Sequence, residues 1–344
     1  MTEDKKVYFT AKKIIVQFIL SLFVFFIHFS VFSVFRDDAP LNRVFDILRI
    51  PTRVAVPLFF VISGALFFRN YTLSATAKKW KNRFFSLCIP YLTWNTLWLI
   101  LALLGNYTPL GIFLGGVKAT LTWQNVLRGI FLYGYFEPFW FIHQSILLTA
   151  LCPLIYVLMK NKWIGLGTIV AFYISLCFGL EFSTTVFYST HMILPYLIGV
   201  WIGLHCFDWF TVRKTKAQAV AGLVVFILCC VLIGMPQLLP QWCATVQMPL
   251  VITVIACGAF WIAFDLLGFK TYPKFATESF LIYAGHSLVG ATVSKIISVL
   301  LPDGHLFTVL TAILAFPATV VILCAGGRLL AKYFPRLKRI LTGK

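Results

Sequence analysis

Three histidines lie inside long apolar stretches, where an ionisable side chain is expensive to hold and becomes a functional candidate for that reason. His28 sits in Phe25-Phe26-Ile27-His28-Phe29-Ser30, towards the end of the first such stretch. A neutral imidazole there either bridges two helices by hydrogen bonding or acts as a general base that takes a hydroxyl proton near neutral pH. His143 opens a later stretch in Glu137-Pro138-Phe139-Trp140-Phe141-Ile142-His143-Gln144. A spacing of three places Trp140 on its helix face, although Trp140 alone reads as an interfacial anchor. His286 follows in Ser279-Phe280-Leu281-Ile282-Tyr283-Ala284-Gly285-His286-Ser287, with Lys295 further along the same stretch. Asp265 and Glu278 border apolar stretches and read as solvated helix caps.

Arg53 stands directly before Val54-Ala55-Val56-Pro57-Leu58-Phe59-Phe60-Val61-Ile62-Ser63-Gly64-Ala65-Leu66. Arg49, four residues earlier, would share its face on a continuous helix. Each is either a cation snorkelling from a helix end, or part of a pair suited to an anionic acceptor or an oxyanion formed in acyl transfer. The Ser63-Gly64 step admits another backbone or a ligand at close range. A basic cluster, Lys78-Lys79-Trp80-Lys81-Asn82-Arg83, is either an anchor beside anionic lipid or a seat for the phosphates of a nucleotide-like donor. No phosphate loop, G-x-S-x-G, H-E-x-x-H or G-x-G-x-x-G occurs. The nine cysteines are scattered without C-x-x-C or metal-ligand spacing. Neither a metal nor a permanently bound cofactor is therefore expected.

The elements that must position these residues follow from composition. Of 344 residues, 60% are hydrophobic and 12% charged, with a mean hydropathy of +0.91. Soluble chains carry about 25% charged residues. A soluble enzyme, a disordered tail and a nucleic-acid-binding domain are excluded, the last because its cations would form one wettable surface. The composition implies an all-α, polytopic membrane helix bundle in a single domain, 1–344. Crossing the hydrocarbon takes about 20 mainly apolar residues. About ten transmembrane helices are expected, near 14–35, 54–68, 84–104, 138–159, 163–180, 187–206, 217–235, 246–267, 279–301 and 306–327. The second is short and is expected to borrow from 44–53. The outer loop at 105–137 contains apolar pieces suited to lying along the interface.

Lysine and arginine placement orients the bundle. With a cytoplasmic N-terminus, the outer face holds Arg36, Arg43, Arg49, Arg53, Lys118 and Arg128, and Lys295 falls within a span. The other 22 of the 29 cations lie on the cytoplasmic side, so both termini are expected there. The net charge of +18 is then mostly an orientation signal beside anionic lipid, and no nucleic-acid partner is needed.

In order along the chain, these segments resemble acyltransferase family 3, membrane enzymes that O-acylate cell-envelope sugars. The resemblance rests on His28 late in the first span, Arg53-x-Ala55-Val56-Pro57-Leu58-Phe59-Phe60-x-x-Ser63-Gly64, and Lys79-x-Lys81-x-Arg83 leading into Ile89-Pro90-Tyr91-Leu92-x-Trp94-Asn95. It continues with Pro138-Phe139-Trp140-Phe141-Ile142 and Ser279-Phe280-x-Ile282-Tyr283-x-x-His286. The Val-Pro-Leu-Phe-Phe-x-x-Ser-Gly string is the most specific piece. One position departs. Where many members carry an arginine eleven residues before the histidine, this chain has Gln17. Either a lysine substitutes, or Arg49 or Arg53 serves, or the chain is catalytically altered.

The resemblance implies a donor and an acceptor. An acyl-CoA, most simply acetyl-CoA, would dock as donor substrate near Lys79, Lys81 and Arg83. The hydroxyl of an envelope polysaccharide or lipid-linked sugar would meet the acyl group, with His28 as general base and Arg53 holding the oxyanion or acceptor. Arg49, Ser63, Trp140, His143 and His286 would line the acceptor or acyl path. The implied location is the bacterial plasma membrane. The competing reading is a polysaccharide or lipid-linked-sugar transporter that uses the same residues without chemistry, although no repeat between the halves supports it.

Overall fold

The structure is a computed structural model, and it describes residues 3–29, 39–108, 118–180, 188–301 and 305–344. The side chains of 39–42, 244, 245, 305 and 308 fall outside the description. Arg36 and the apolar piece 111–117 of the predicted outer loop also lie outside the described residues.

Every regular element among the described residues is helical. The first are α1 (Glu3–His28), α2 (Ala39–Arg49), α3 (Ala55–Phe68), α4 (Thr76–Arg83), α5 (Ile89–Tyr107) and α6 (Trp123–Phe131). Next come α7 (Trp140–Ala150), α8 (Cys152–Met159), α9 (Lys162–Cys177), α10 (Ile193–His205), α11 (Phe207–Thr211) and α12 (Lys216–Gly234). The chain ends with α13 (Trp242–Thr245), α14 (Met248–Ala263), α15 (Ser279–Leu300), α16 (His305–Tyr333) and α17 (Pro335–Thr342).

Among the described residues, seven helical stretches are long and apolar enough to cross a membrane, and eight if a bent pair counts as one. The predicted second span does borrow from the preceding segment, since Arg43–Phe68 forms one such stretch. The pair α7 and α8 departs from the prediction of one straight span over 138–159. It bends by 67° at Leu151, and Pro153, with no amide hydrogen to donate to the preceding turn, sits in the first turn of α8. The predicted spans 163–180 and 187–206 are shorter apolar helices, Lys162–Cys177 and Thr190–His205. The first of these stops before Gly179, whose φ of +73° ends a helix cheaply in glycine and expensively in other residues. In the predicted outer loop, Val126–Tyr135 is partly helical as α6, opened by the Thr122 hydroxyl accepting from the Asn125 amide.

The chain divides into two compact units made of interleaved segments. The first comprises Met1–Phe23, Ile47–Lys78 and Leu148–Ala276, and the second Val24–Asp46, Lys79–Leu147 and Thr277–Lys344.

In the first unit α3 packs on α10 backbone to backbone. A Cβ at Gly64 would lie 2.6 Å from the Tyr196 carbonyl oxygen, and one at Gly203 2.5 Å from that of Ala65. A Cβ at Gly199 would collide with the Val61 carbonyl oxygen. Gly199 and Gly203 are four apart on one face, so α10 presents a groove that only small residues make, and the Ser63-Gly64 step fits it. The step thus serves backbone approach, one of the two uses its sequence allowed.

The same unit buries an ion pair. Lys12 Nζ donates to Asp265 Oδ1 at 2.6 Å, with Lys12 2% exposed and the Asp265 side chain fully buried. The Tyr8 hydroxyl also donates to Oδ1, and the Lys214 amide to Oδ2 at 3.1 Å. Lys12 Nζ further lies 4.4 Å from the centre of the Trp261 ring, which stacks on Phe210. Asp265 is therefore not a solvated cap. Its charge is matched by Lys12, and its remaining lone pairs by two further donors.

In the second unit α15 packs along α16, and α17 folds back beside α5. The Trp94 indole donates to the Leu341 carbonyl at 2.9 Å, and Lys338 Nζ to Glu278 Oε1 at 2.6 Å. Glu278, predicted to be a solvated cap, is 3% exposed because this lysine from the C-terminal helix covers it.

Two expectations follow for the first unit. Lys12→Met strands a buried carboxylate and should lower stability by about 3–5 kcal/mol, while adding Asp265→Leu should recover part of that loss. Gly199→Ala forces α3 and α10 apart and should cost about 1–3 kcal/mol. Thermal unfolding of the purified protein in detergent measures both.

Candidate active site

The site is built in the second unit around His286 of α15. Small neighbours make its place: a Cβ at Gly290 would lie 3.2 Å from the Phe25 ring, so glycine lets that ring close in. His286 is fully buried. Its Nδ1 lies 2.7 Å from the Tyr283 carbonyl oxygen and 3.2 Å from that of Ile282. Carbonyl oxygens only accept, so Nδ1 carries the proton and a neutral ring presents a lone pair at Nε2. That Nε2 is buried without a hydrogen-bond partner among the described residues.

His28, the last residue of α1, brings its ring to 5.8 Å from that of His286, tilted by 33°. Phe25, one helical turn before His28, lies 5.5 Å from His286 and stacks on Phe316 of α16 at 4.4 Å. His28 itself is exposed, whereas its partner is sealed. Two imidazoles, one wettable and one dry, thus share one aromatic wall.

The wall continues through the segment before α7. Phe136 lies 5.8 Å from His286 and stacks on Trp98 of α5 at 4.9 Å. Trp98 Nε1, a donor, is likewise buried without a partner among the described residues. Phe139 meets Phe136 at 4.8 Å and stacks on Tyr283 at 5.7 Å. The Tyr283 hydroxyl donates to the Pro138 carbonyl, which pins the short turn Glu137–Phe139 to α15. Beyond Phe139 stands Tyr91, 6.0 Å away, whose hydroxyl donates to the Phe131 carbonyl at 2.7 Å.

His143 sits between two tyrosines, 5.8 Å from Tyr91 and 5.3 Å from Tyr133. Burial, and then the Glu137 carboxylate, raise the Tyr133 phenol above its usual range, so it stays a neutral hydroxyl beside the imidazole. A continuous run of ring contacts therefore joins His28, His286 and His143. Trp140 begins α7, half-buried, at the end of the Pro138 turn.

The arginines and Ser63 belong to the first unit. Arg49 and Arg53 do not share a helical face. Pro51 interrupts the helix and a 3₁₀ turn, Ile50–Val54, intervenes. At three residues per turn, four residues rotate a side chain roughly 120° off its starting face. Arg53 is accordingly exposed and Arg49 half-buried. The Thr52 hydroxyl caps the end of α2 on the Arg49 carbonyl at 2.6 Å. Ser63 is half-buried on α3. On α4, Lys79 and Arg83 are half-buried and four residues apart on one face, with Lys81 exposed.

Sequence reasoning did not single out Trp98, Phe136, Tyr91 or Tyr283 as site residues. One signal for two of them was available. Tyr91 and Asn95, like Trp94 and Trp98, are four residues apart on α5, and all four are buried although Asn95 is polar.

This constellation is a pair of imidazoles, one exposed and one buried, walled by aromatic rings. Residues 14–326 match the acyltransferase domain of acyltransferase family 3, and the chain belongs to that family. No curated relative and no solved structure matches the chain at a significant level.

Removing the Tyr283 hydroxyl tests the turn that holds the wall. Tyr283→Phe leaves the buried Pro138 carbonyl without its donor and should cost about 1–3 kcal/mol, read as a lower melting temperature in detergent with secondary structure unchanged.

Proposed function

We propose that the protein is a multi-pass O-acyltransferase of the bacterial plasma membrane, with both termini cytoplasmic and about ten crossings forming one catalytic domain. It moves an acyl group, most simply acetyl, from cytoplasmic acyl-CoA to a hydroxyl of an envelope polysaccharide or lipid-linked sugar. Membership of an acyltransferase family supports the reaction class. The observation that carries the assignment of roles is the pairing of His28 with His286, whose Nε2 is a buried lone pair.

The acceptor hydroxyl oxygen attacks the thioester carbonyl while its proton passes to the His28 imidazole. The carbon–sulfur bond of the resulting oxyanion breaks, and the thiolate leaves with that proton. His286, held in one tautomer by two carbonyls, stands beside His28 as a hydrogen-bond acceptor that orients the acceptor or the base. Trp140 and His143 guide the acyl group or acceptor along the aromatic wall. Arg53 neutralises the oxyanion, and Arg49 and Ser63 contact the acceptor. Lys79, Lys81 and Arg83 receive the donor phosphates. In this reading Arg49 or Arg53 serves for the arginine replaced at Gln17, a choice supported by the engagement of the Lys12 ammonium with Asp265.

The test is acyl transfer by the purified protein from labelled acetyl-CoA to extracted envelope glycan. His28→Ala should lower the rate by about 10²–10⁴-fold, the usual worth of a general base. Translocation of glycan without any transfer of label overturns the proposal.

A further inference from the structure

A second feature of the first unit lies apart from the histidines. A cavity of about 560 Å³ opens at the N-terminal end of α1, lined by Lys5, Tyr8, Arg213, Gly268, Phe269 and Lys270 among others. Asp4 is the one carboxylate in its lining, against three cations. Among the described residues no ion pair joins Lys5, Arg213 or Lys270 to a carboxylate. All three are exposed, so their charge faces solvent while the floor is closed by buried Thr211.

The walls are fixed. Gly268 has a φ of +55°, a turn conformation that favours glycine, and Arg213 Nη2 lies against it, 2.5 Å from where a Cβ would stand. The Arg213 guanidinium also sits 5.8 Å from the centre of the Tyr8 ring. Tyr8 and the Lys214 amide are both tied to Asp265, whose charge Lys12 neutralises. The buried ion pair thus holds the two sides of the cavity, from α1 and from the loop before α12, without exposing its own carboxylate to an incoming anion.

We propose that this cavity binds a phosphate-bearing anion, with Arg213, Lys270 and Lys5 as its donors. A planar guanidinium beside a glycine turn donates to two phosphate oxygens at once, and two flexible ammonium groups close around them. The aromatic edges of Tyr8 and Phe269 leave room for an attached organic group. The phosphate belongs either to a soluble nucleotide carrier or to an anionic phospholipid headgroup. The site does not depend on the acyl transfer proposed above.

The full-length protein in phosphatidylcholine nanodiscs, titrated with inorganic pyrophosphate, tests the soluble source. The same protein in nanodiscs containing phosphatidylglycerol, followed by melting temperature, tests the lipid source. Arg213→Gln with Lys270→Gln should weaken pyrophosphate binding about tenfold or more, or abolish the phosphatidylglycerol stabilisation. Lys5→Gln alone, which leaves the glycine turn untouched, should act in the same direction and more weakly. Lys332→Gln, the same loss of charge on α16, should change neither. If the double variant keeps wild-type pyrophosphate binding and lipid stabilisation, or if the Lys332 variant matches its losses, the proposal is overturned.

Discussion

Inside hydrocarbon a carboxylate has no water to solvate it, so it must be matched by the protein or it does not stay charged there. Among the described residues two carboxylates are buried, Asp265 and Glu278, and each is matched by one lysine at 2.6 Å. Asp265 draws together residues 253 and 257 positions apart in sequence, and Glu278 reaches Lys338 across 60 positions. A contact between an apolar face and its neighbour tolerates sliding. A buried ion pair with its remaining lone pairs filled does not, because displacement by one helical turn leaves a charge uncompensated. The Asp265 pair therefore sets the register of α1 against the loop before α12, while the Lys338–Glu278 pair, in which Glu278 Oε2 is buried without a hydrogen-bond partner among the described residues, ties α17 to the start of α15. The glycine contacts of α10 with α3 do the same by shape, since backbones at that distance leave no freedom for a larger residue.

With register fixed, the aromatic rings can serve as walls rather than as mere filling. Around His286 the rings of Phe25, Phe136 and His28 are all within 6 Å, and beyond Phe25 and Phe136 lie Phe316, Trp98 and Phe139. None of these rings satisfies a hydrogen bond of the imidazole. The backbone carbonyls of α15 take the Nδ1 proton, and Nε2 is left as a lone pair in dry surroundings. Such an atom costs stability unless another molecule uses it. Beside it stands the imidazole of His28, exposed at the end of α1 and 5.8 Å away.

Much of this was legible in the sequence. Apolar runs of membrane length gave the helices, because hydrophobicity is additive along a chain and needs no tertiary knowledge. His28, His143 and His286 stood out for the same reason, as exceptions within those runs, and the structure links all three by ring contacts. The Val54–Leu66 string and the Pro138 segment carried the family. Missed features depend on partners distant in sequence. Asp265 and Glu278 looked like solvated caps because hydropathy marks a helix end and says nothing of a lysine more than 50 residues away. Arg49 and Arg53 looked like a pair because Pro51 and the 3₁₀ turn it starts are invisible to a spacing of four. Trp98 looked like an ordinary apolar residue, since only its stacking on Phe136 distinguishes it.

The excess of positive charge separates along the same lines. Orientation asks only that cations be on one side, and it is indifferent to which cation stands where. Lys12 and Lys338 are in addition committed to single carboxylates, and Lys214 spreads its ammonium over Trp209 at 3.9 Å while donating to that residue's carbonyl. Arg213 is different in kind. Its guanidinium rests on a glycine held at positive φ, and the neighbouring residues that fix the loop are themselves tied to the buried ion pair. A cation needed for orientation alone would tolerate lysine, a shift of one residue or a longer turn. The positive φ of Gly268 and the tie of the Lys214 amide to Asp265 hold the loop that carries Arg213, so this cation is placed more closely than orientation alone asks.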